Sequence, residues 1–504
     1  MDSTAGPEGP ALRLTAAWVA ARMGGVVAAG DASREFGNVS IDTRTLKAGD
    51  LYVGIRGDRF DGAEFAGAAI EAGAAGVVVP HGWNAGLKPR ATSRNGESAD
   101  ATRRERSADA TRSATASAER RAVVIEVDDT TAALQRLAHG IRRAAGTQVV
   151  AITGSAGKTT TKEVTSEFLE ARYRVVRNRG NFNNHIGLPL SLIELRQRPE
   201  IAVVELGMNH AGEISTLVRV AEPDVRVWTN VGEAHLGFFA SLDAIADAKA
   251  EIFEGAVAST LLVANADDPR IAARIGAFGG RVVTFGIDRD ADVRASRVVD
   301  RGIDGTSARV TTPSGSVEIT TPLLGRANLA NILAATAVAE EFGVPLADVA
   351  SKAAQLRPAP HRGEIVRLAS GVTVVDDSYN ANPTATRGAL DVLASGQGSR
   401  RIAVLGEMLE LGARSVELHE DVGRAAAKAR VDVLIAVGGA PARALADAAI
   451  AAGMPPARVR HFATSDEAAG ATVALVETGD LVLVKGSRGV KTDRVVDRLK
   501  AARG

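Results

Sequence analysis

The sequence predicts an α/β protein built on parallel sheets, and three observations carry that prediction. From residue 128 the apolar strands VVAIT, IAVVEL, VRVWTN, TLLVAN and RVVTFG alternate with helix-period stretches rich in Ala, Leu and Glu. A second alternation begins near 372 with VTVVDD, RIAVLG, VDVLIAVG and DLVLVKG. Between the first strand of the first series and its helix lies a glycine-rich turn, in VVAITGSAGKTTTKE at 149–163.

The chain has 504 residues, 45% of them hydrophobic, which is enough to build two to four separate cores. Sixty basic and sixty acidic residues cancel, so the charge balance gives no reason to expect nucleic acid or a membrane surface as partner. Cysteine is absent, which excludes disulfides, thiolate metal sites and a cysteine nucleophile, and fits a reducing cytoplasm. The N-terminal MDSTAGPEGPALRLTAAWVAAR has an acid at Asp2 and only a short amphipathic stretch, unlike a secretory signal. No apolar run reaches the roughly 18 residues of a spanning helix.

Residues 90–121 contain SADATR twice, at 98 and at 107, and almost no large apolar side chain. Such a segment cannot bury enough surface to offset its ordering entropy, so a disordered insertion is expected there. The strand AVVIEV at 122–127 resumes the first domain after it.

The turn Gly154-Ser155-Ala156-Gly157-Lys158-Thr159 reads as a nucleoside-triphosphate loop. Its glycines let backbone N–H groups face phosphate oxygens, the following helix offers its positive end, Lys158 supplies a charge, and the Thr159 hydroxyl can ligate Mg2+. The full G-x-x-x-x-G-K-[ST] pattern needs glycine at 152, where Ile152 stands, so this is a compact G-x-x-G-K-T form. In doubly wound sheets ligands collect at the carboxyl ends of strands. There Glu205 closes IAVVE, either as a Mg2+ ligand or as a solvated carboxylate, and His235 follows a later strand, either as a ligand or as a structural histidine. Lys249 in ADAKAEIF reads locally as a helix-surface lysine. The prolines of LRPAPHRGE, 356–364, mark a joint, and the second alternation beyond it suggests a smaller Rossmann-like domain.

These residues recur in the order found in the Mur ligases, ATP-dependent amide-forming enzymes of peptidoglycan precursor synthesis, and the chain resembles that family over nearly its whole length. The blocks are DTRTLKAGDLYVGIRGDRFDGAEF at 42–65, TGSAGKT at 153–159, GNFNNHIGLPLSL at 180–192, VVELGMNHAGEI at 203–214, AHLGFFASL at 234–242, AKAEIF at 248–253, GRANLANILAA at 325–335, DDSYNANP at 376–383, GEMLELG at 406–412 and VKGSRG at 484–489. Of these, ELGMNHAGEI, DDSYNANP and GEMLELG resemble the branch that adds a dipeptide rather than a single amino acid.

The resemblance implies three domains: 1–127 for the UDP-sugar substrate, 128–357 for ATP, and 358–504, Rossmann-like, for the incoming dipeptide. It implies that Thr153, Gly154, Ser155, Ala156, Gly157, Lys158 and Thr159 cradle ATP, with Asn331 beside the adenine and Arg362 and Asp377 reaching the nucleotide from the C-terminal domain. Thr159, Glu205 and His235 would hold Mg2+, two ions in all, and Lys249 would carry a CO2-derived carbamate that helps position the second. Lys158, His235 and Lys249 are thereby the catalytic candidates. Thr43, Arg44, Arg59, Phe60 and Asp61 resemble the UDP-sugar face, although a plain turn with surface charges accounts for any one of them. Asn181, Asn183 and Asn184 suit polar substrate contacts or simple turn formation. Tyr379, Asn380 and Asn382 fit a dipeptide pocket, or a helix cap before Pro383.

The implied partners are UDP-N-acetylmuramoyl-tripeptide and D-alanyl-D-alanine, with no nucleic acid or membrane, and a monomer contains every group needed. ATP would phosphorylate the tripeptide carboxylate and the dipeptide amine would capture the acyl phosphate, with hinge closure excluding water. The competing readings are a sister Mur ligase or a folylpolyglutamate synthase, and a nucleotide-binding regulator that has lost ligation. Phosphate release with each acceptor separates them.

Overall fold

Three sheets organise the chain in the computed structural model, which describes residues 9–57, 60–83, 122–178 and 180–504. The expected insertion at 90–121 and Arg59 lie outside the described residues. The first sheet has β1 (Val26–Ala29), β2 (Val39–Ser40), β3 (Leu51–Val53), β4 (Gly76–Pro80) and β5 (Val123–Val127), in the order β1-β5-β4-β3-β2. All its pairings are parallel except β1 with β5. Tyr52, Ile70, Val77 and Val79 form part of its core. The Tyr52 hydroxyl donates to Gly62 O at 2.9 Å, so the one polar atom of that ring is satisfied.

The central sheet has nine strands: β6 (Gln148–Thr153), β7 (Val175–Arg177), β8 (Ile201–Glu205), β9 (Val225–Trp228), β10 (Leu261–Asn265), β11 (Arg281–Gly286), β12 (Val293–Asp300), β13 (Thr306–Thr312) and β14 (Gly315–Thr321). Their order is β14-β13-β12-β11-β10-β9-β6-β8-β7. β6, β8, β9 and β10 are nearly continuous Val, Ile, Leu and Ala because both faces are covered. The expected parallel character holds from β6 through β9, β10 and β11 to the start of β12. It fails at the β12–β13 and β13–β14 pairings, antiparallel hairpins added to one edge. The reason is legible in TSARVTT, whose every second residue is buried while the others face outward, the period of a half-solvated hairpin strand.

The third sheet contains β15 (Glu364–Arg367), β16 (Thr373–Asp377), β17 (Arg401–Gly406), β18 (Val433–Val437), β19 (Val459–Phe462) and β20 (Leu481–Lys485), ordered β15-β16-β20-β17-β18-β19. Only β15 runs antiparallel to its neighbour. Strand order reverses between β20 and β17, which makes their carboxyl ends the crevice where ligands are expected. Residues 356–363, the joint read from the prolines, form neither helix nor strand.

Close contacts divide the chain into two compact units: 1–148 with 178–202 and 219–222, and 149–177 with 203–218 and 223–504. The first includes helix Thr130–Ala145, capped by Asp129 and ended by Gly146 in the left-handed region. The second contains the phosphate loop and the whole third sheet. Among the described residues no helix is long and apolar enough to cross a membrane.

Candidate active site

The phosphate loop is held from behind by the end of β9. Ala156 N donates to Asn230 Oδ1 at 2.9 Å, Asn230 Nδ2 to Ala156 O at 3.0 Å, and the Thr229 hydroxyl to Ala156 O at 2.8 Å. The Ser155 hydroxyl donates to Gly232 O at 3.1 Å and accepts from Gly232 N at 2.9 Å. Two positions must be glycine. A Cβ on Gly154 (φ +152°) would sit 1.9 Å from Thr229 Oγ1, and one on Gly157 (φ +80°) 2.4 Å from Asn331 Oδ1.

Helix Lys158–Leu169 starts directly behind Gly157, so its free N–H groups and positive end face the loop. Lys158 Nζ donates to Gly154 O at 2.9 Å across the turn. Burial lowers the Lys158 pKa and the nearby Arg362 charge lowers it further, while Glu205 opposes both. At the end of β8, Glu205 Oε2 accepts from the Thr159 hydroxyl at 2.9 Å. The hydroxyl beside Lys158 in sequence and the carboxylate it bonds are the hard oxygen donors that Mg2+ takes. Among the described residues no three His, Asp or Glu side chains converge as a metal cage. Asn331 Oδ1 accepts from the buried Thr161 hydroxyl at 3.1 Å, which fixes Asn331 against the loop.

His235 leaves the region after β9 in the left-handed conformation, φ +61°. Its Nδ1 pairs with Glu410 Oε2 at 2.6 Å, which leaves Nε2 as the nitrogen free to meet a ligand. Burial lowers the His235 pKa, the charges of Lys158 and Lys249 lower it too, and Glu410 acts against them. Glu410 is also left-handed, φ +64°, and its carbonyl accepts from Gly237 N at 2.8 Å. Glu233 adds a pair with Arg387 at 2.9 Å and accepts from the Thr384 hydroxyl. The loop that carries His235 is thereby fastened to two segments that border the third sheet.

Lys249, near the end of helix Leu242–Ala250, is not on the surface, as its local pattern alone suggested, but 2% exposed. Burial holds its pKa well below 10.5, and the Lys158 charge adds to this. In the joint, His361 (φ +61°) directs Nδ1 to Asp376 Oδ2 at 2.8 Å and its carbonyl accepts from Tyr379 N. The Arg362 guanidinium lies 4.1 Å from the centre of the Tyr379 ring. Asp377 Oδ2 accepts from Lys485 Nζ at 2.6 Å, and Asn380 O accepts from the same ammonium at 3.0 Å. Asn382 caps helix Pro383–Ser395 through Ala385 N at 2.8 Å, so the capping reading of this asparagine is realised.

The second unit thus contains every expected ATP, metal and dipeptide residue. The other expected residues belong to the first. There Arg44 is exposed and forked onto Asp42 at 2.7 Å, next to half-buried Thr43. Phe60 is 63% exposed and Asp61 caps the turn at Ala63. Asn181 is exposed, its carbonyl accepting from Asn183 N, and Asn184 Oδ1 accepts from Gly187 N at 2.8 Å, a turn-forming role.

Three family models match in order along the chain: "Mur ligase family, catalytic domain" over 35–142, "Mur ligase middle domain" over 152–339, and "Mur ligase, glutamate ligase domain" over 361–488. A curated relative, UDP-N-acetylmuramoyl-tripeptide–D-alanyl-D-alanine ligase of Bacillus subtilis, is 34% identical, with 92% of each chain covered. The chain belongs to the Mur ligase family. Among solved structures, MurF from Acinetobacter baumannii superposes with a TM-score of 0.83 at 29% identity, covering 98% of this Mur ligase and all of that chain. MurF ligase from Thermotoga maritima, in complex with ADP, gives 0.75 at 27% identity, covering 92% of this chain and 97% of its own.

Sequence reasoning missed Asn230, Glu233, Arg387, Glu410 and Lys485. Asn230 carried a usable signal, a polar side chain just past a strand end. Glu410 and Lys485 lay inside quoted blocks, but nothing in one dimension pairs Glu410 with a histidine 175 positions away.

Proposed function

We propose that this Mur ligase joins D-alanyl-D-alanine to UDP-N-acetylmuramoyl-tripeptide at the expense of ATP, making the pentapeptide precursor of peptidoglycan from cytoplasmic substrates. One observation carries the reading. The phosphate loop, with Thr159 against Glu205, shares a compact unit with DDSYNANP, GEMLELG and VKGSRG, and Ser487 ties the last three together: its hydroxyl accepts from Leu409 N at 2.9 Å and donates to Ala381 O at 3.3 Å. The names of the relatives agree with it.

A carboxylate at neutral pH resists attack by an amine, because it is electron-rich and lacks a leaving group. Its oxygen attacks the γ-phosphorus of ATP, ADP departs, and an acyl phosphate forms. The N–H groups of Gly154 to Thr159 and the start of helix Lys158–Leu169 bind phosphate oxygens, and Lys158 offsets charge on the transferring group. Asn331, Arg362 and Asp377 orient the nucleotide. The dipeptide amine then attacks the acyl carbon, and the tetrahedral intermediate expels phosphate and a proton to leave the amide. Thr159 and Glu205, with His235 through Nε2, would hold Mg2+, which supplies charge neutralisation on the phosphates when bound.

Lys249 is the site assigned to a carbamate. A buried, uncharged amine attacks CO2 and loses a proton, and the burial that lowers the Lys249 pKa favours that uncharged form. The resulting anion would lie near the Lys158 charge. In the first domain, taken as 1–127, Thr43, Arg44, Phe60 and Asp61, together with Asn181, Asn183 and Asn184, are assigned to the UDP-linked tripeptide. Tyr379, Asn380 and Asn382, in the domain taken as 358–504, are assigned to the dipeptide; 128–357 is the ATP domain.

The test is phosphate release with Mg2+ and bicarbonate, followed by mass analysis of the product. Release that needs both precursors, with a pentapeptide formed, is the expected result. ATP binding without turnover, or turnover with a single amino acid as acceptor, would overturn the assignment. Loss of a 13C-bicarbonate carbamate signal in Lys249→Ala tests the modification; no such signal in the wild type removes it.

A further inference from the structure

Two guanidinium groups share one ring. Arg362 lies 4.1 Å and Arg488 5.4 Å from the Tyr379 centroid, and Arg488 Nη1 also donates to the Tyr379 hydroxyl at 3.3 Å. Cation–π attraction explains why each sits there, yet two like charges on one ring repel unless an anion joins them. Among the described residues neither is paired with a carboxylate. Lys485, one strand end away, differs: Asp377 neutralises it at 2.6 Å. The surroundings divide the two cations. The ligase reading gives Arg362 to the nucleotide, which leaves Arg488 without an assigned anion. Arg488 follows Ser487, whose hydroxyl bridges the DDSYNANP and GEMLELG segments.

We propose that Arg488, oriented by Tyr379, binds the carboxylate of the incoming dipeptide. The inference rests on the ligase reading above and names a residue that reading leaves unassigned. The chemistry favours it. The dipeptide must present an uncharged amine to the acyl phosphate, so its carboxylate is the one permanent charge by which the enzyme can hold it. A guanidinium held beside a ring and bonded through Nη1 to its hydroxyl is fixed in place, and its Nε–Nη2 edge can make two parallel N–H···O bonds to that group. Arg488 is exposed, and its backbone is set by the 3-10 turn Arg488–Val490 at the carboxyl end of β20, so reach and rigidity are both provided.

The experiment compares D-alanyl-D-alanine with its C-terminal amide, which has the amine but not the carboxylate, in steady-state phosphate release. The wild type is expected to show a KM roughly 10- to 100-fold higher for the amide, the size of one charge-assisted contact. Arg488→Ala should raise the KM for the dipeptide by a similar factor, leave the KM for ATP within about two-fold, and abolish the preference for acid over amide. Arg488→Lys should fall between, and Tyr379→Phe, which keeps the ring, should retain the preference. A wild type that uses acid and amide equally overturns the proposal, as does an Arg488→Ala enzyme that keeps the preference or loses ATP affinity instead. Should Arg488→Ala fail to fold by circular dichroism, the Lys and Gln variants carry the same comparison. A wild type that turns over neither acceptor refutes the ligase reading itself, a distinct outcome.

Discussion

Replacing Gly157 with alanine puts a methyl group where the structure has no room for one. The backbone there has φ +80° and ψ −7°, a left-handed conformation that costs an L-residue about 1–2 kcal/mol. The new Cβ would also lie 2.4 Å from Asn331 Oδ1, so that side chain must turn away. Turning away strands the buried Thr161 hydroxyl that now donates to it at 3.1 Å, at a further cost of about 1–3 kcal/mol. The total is roughly 2–5 kcal/mol, and the two parts are separable. In an Asn331→Ala background the side-chain conflict is already gone, so Gly157→Ala should then cost only the backbone share of about 1–2 kcal/mol. Urea unfolding of the four members of this cycle measures the coupling, expected at about 1–3 kcal/mol. Strict additivity would refute the close approach of Gly157 and Asn331 from which the estimate is built. Michaelis constants for ATP from the same variants should rise with Gly157→Ala, because the displaced amide borders the loop.

Glu410→Gln should reduce turnover roughly 10- to 100-fold, the usual cost of losing a carboxylate behind a functional histidine, with Glu410→Ala at least as severe; an unchanged kcat in both would show that His235 needs no orientation. Lys249 gives a pH signature. Its folded pKa is depressed, so between that value and 10.5 the unfolded chain binds the extra proton, and stability should rise with pH across that window. In CO2-free buffer Lys249→Met should flatten that rise; an identical slope in both proteins argues against the burial of an uncharged amine. Tyr52 behaves in the opposite sense. Burial raises its pKa from 10 to about 12, so the stability it contributes is complete below pH 10 and lost as pH climbs through about 12. Tyr52→Phe should remove that alkaline loss in thermal melts and cost about 1 kcal/mol at neutral pH through the bond to Gly62.

Much of the architecture was legible because it depends on local pattern. Every strand read from an apolar run, from VVAIT to DLVLVKG, occurs in the structure within a residue or two, since a strand covered on both faces needs an unbroken apolar stretch. The antiparallel hairpins β12–β14 were passed over because their alternating half-apolar residues give a weaker signal than those runs. The phosphate loop was legible as chemistry, being contiguous and conformationally demanding. Lys249 was not: a lysine in ADAKAEIF reads as surface, and only the packing around it makes it 2% exposed. Pairings such as His235 with Glu410, or Arg488 with Tyr379, depend on the third dimension alone. The asparagines show the opposite limit, since Asn184 and Asn382 do the turn and cap work that their local sequence already offered.

The joint between the second and third sheets is sewn to the third. Gly363 N donates to Asp376 O at 2.9 Å and Tyr379 N to His361 O at 3.1 Å, so the short stretch bearing Arg362 is stitched onto β16. Any displacement of the third sheet would therefore carry Arg362 along with Tyr379 and Arg488. If Arg362 meets the nucleotide and Arg488 the dipeptide, as proposed, one displacement of that sheet shifts both contacts together, with no messenger needed between them.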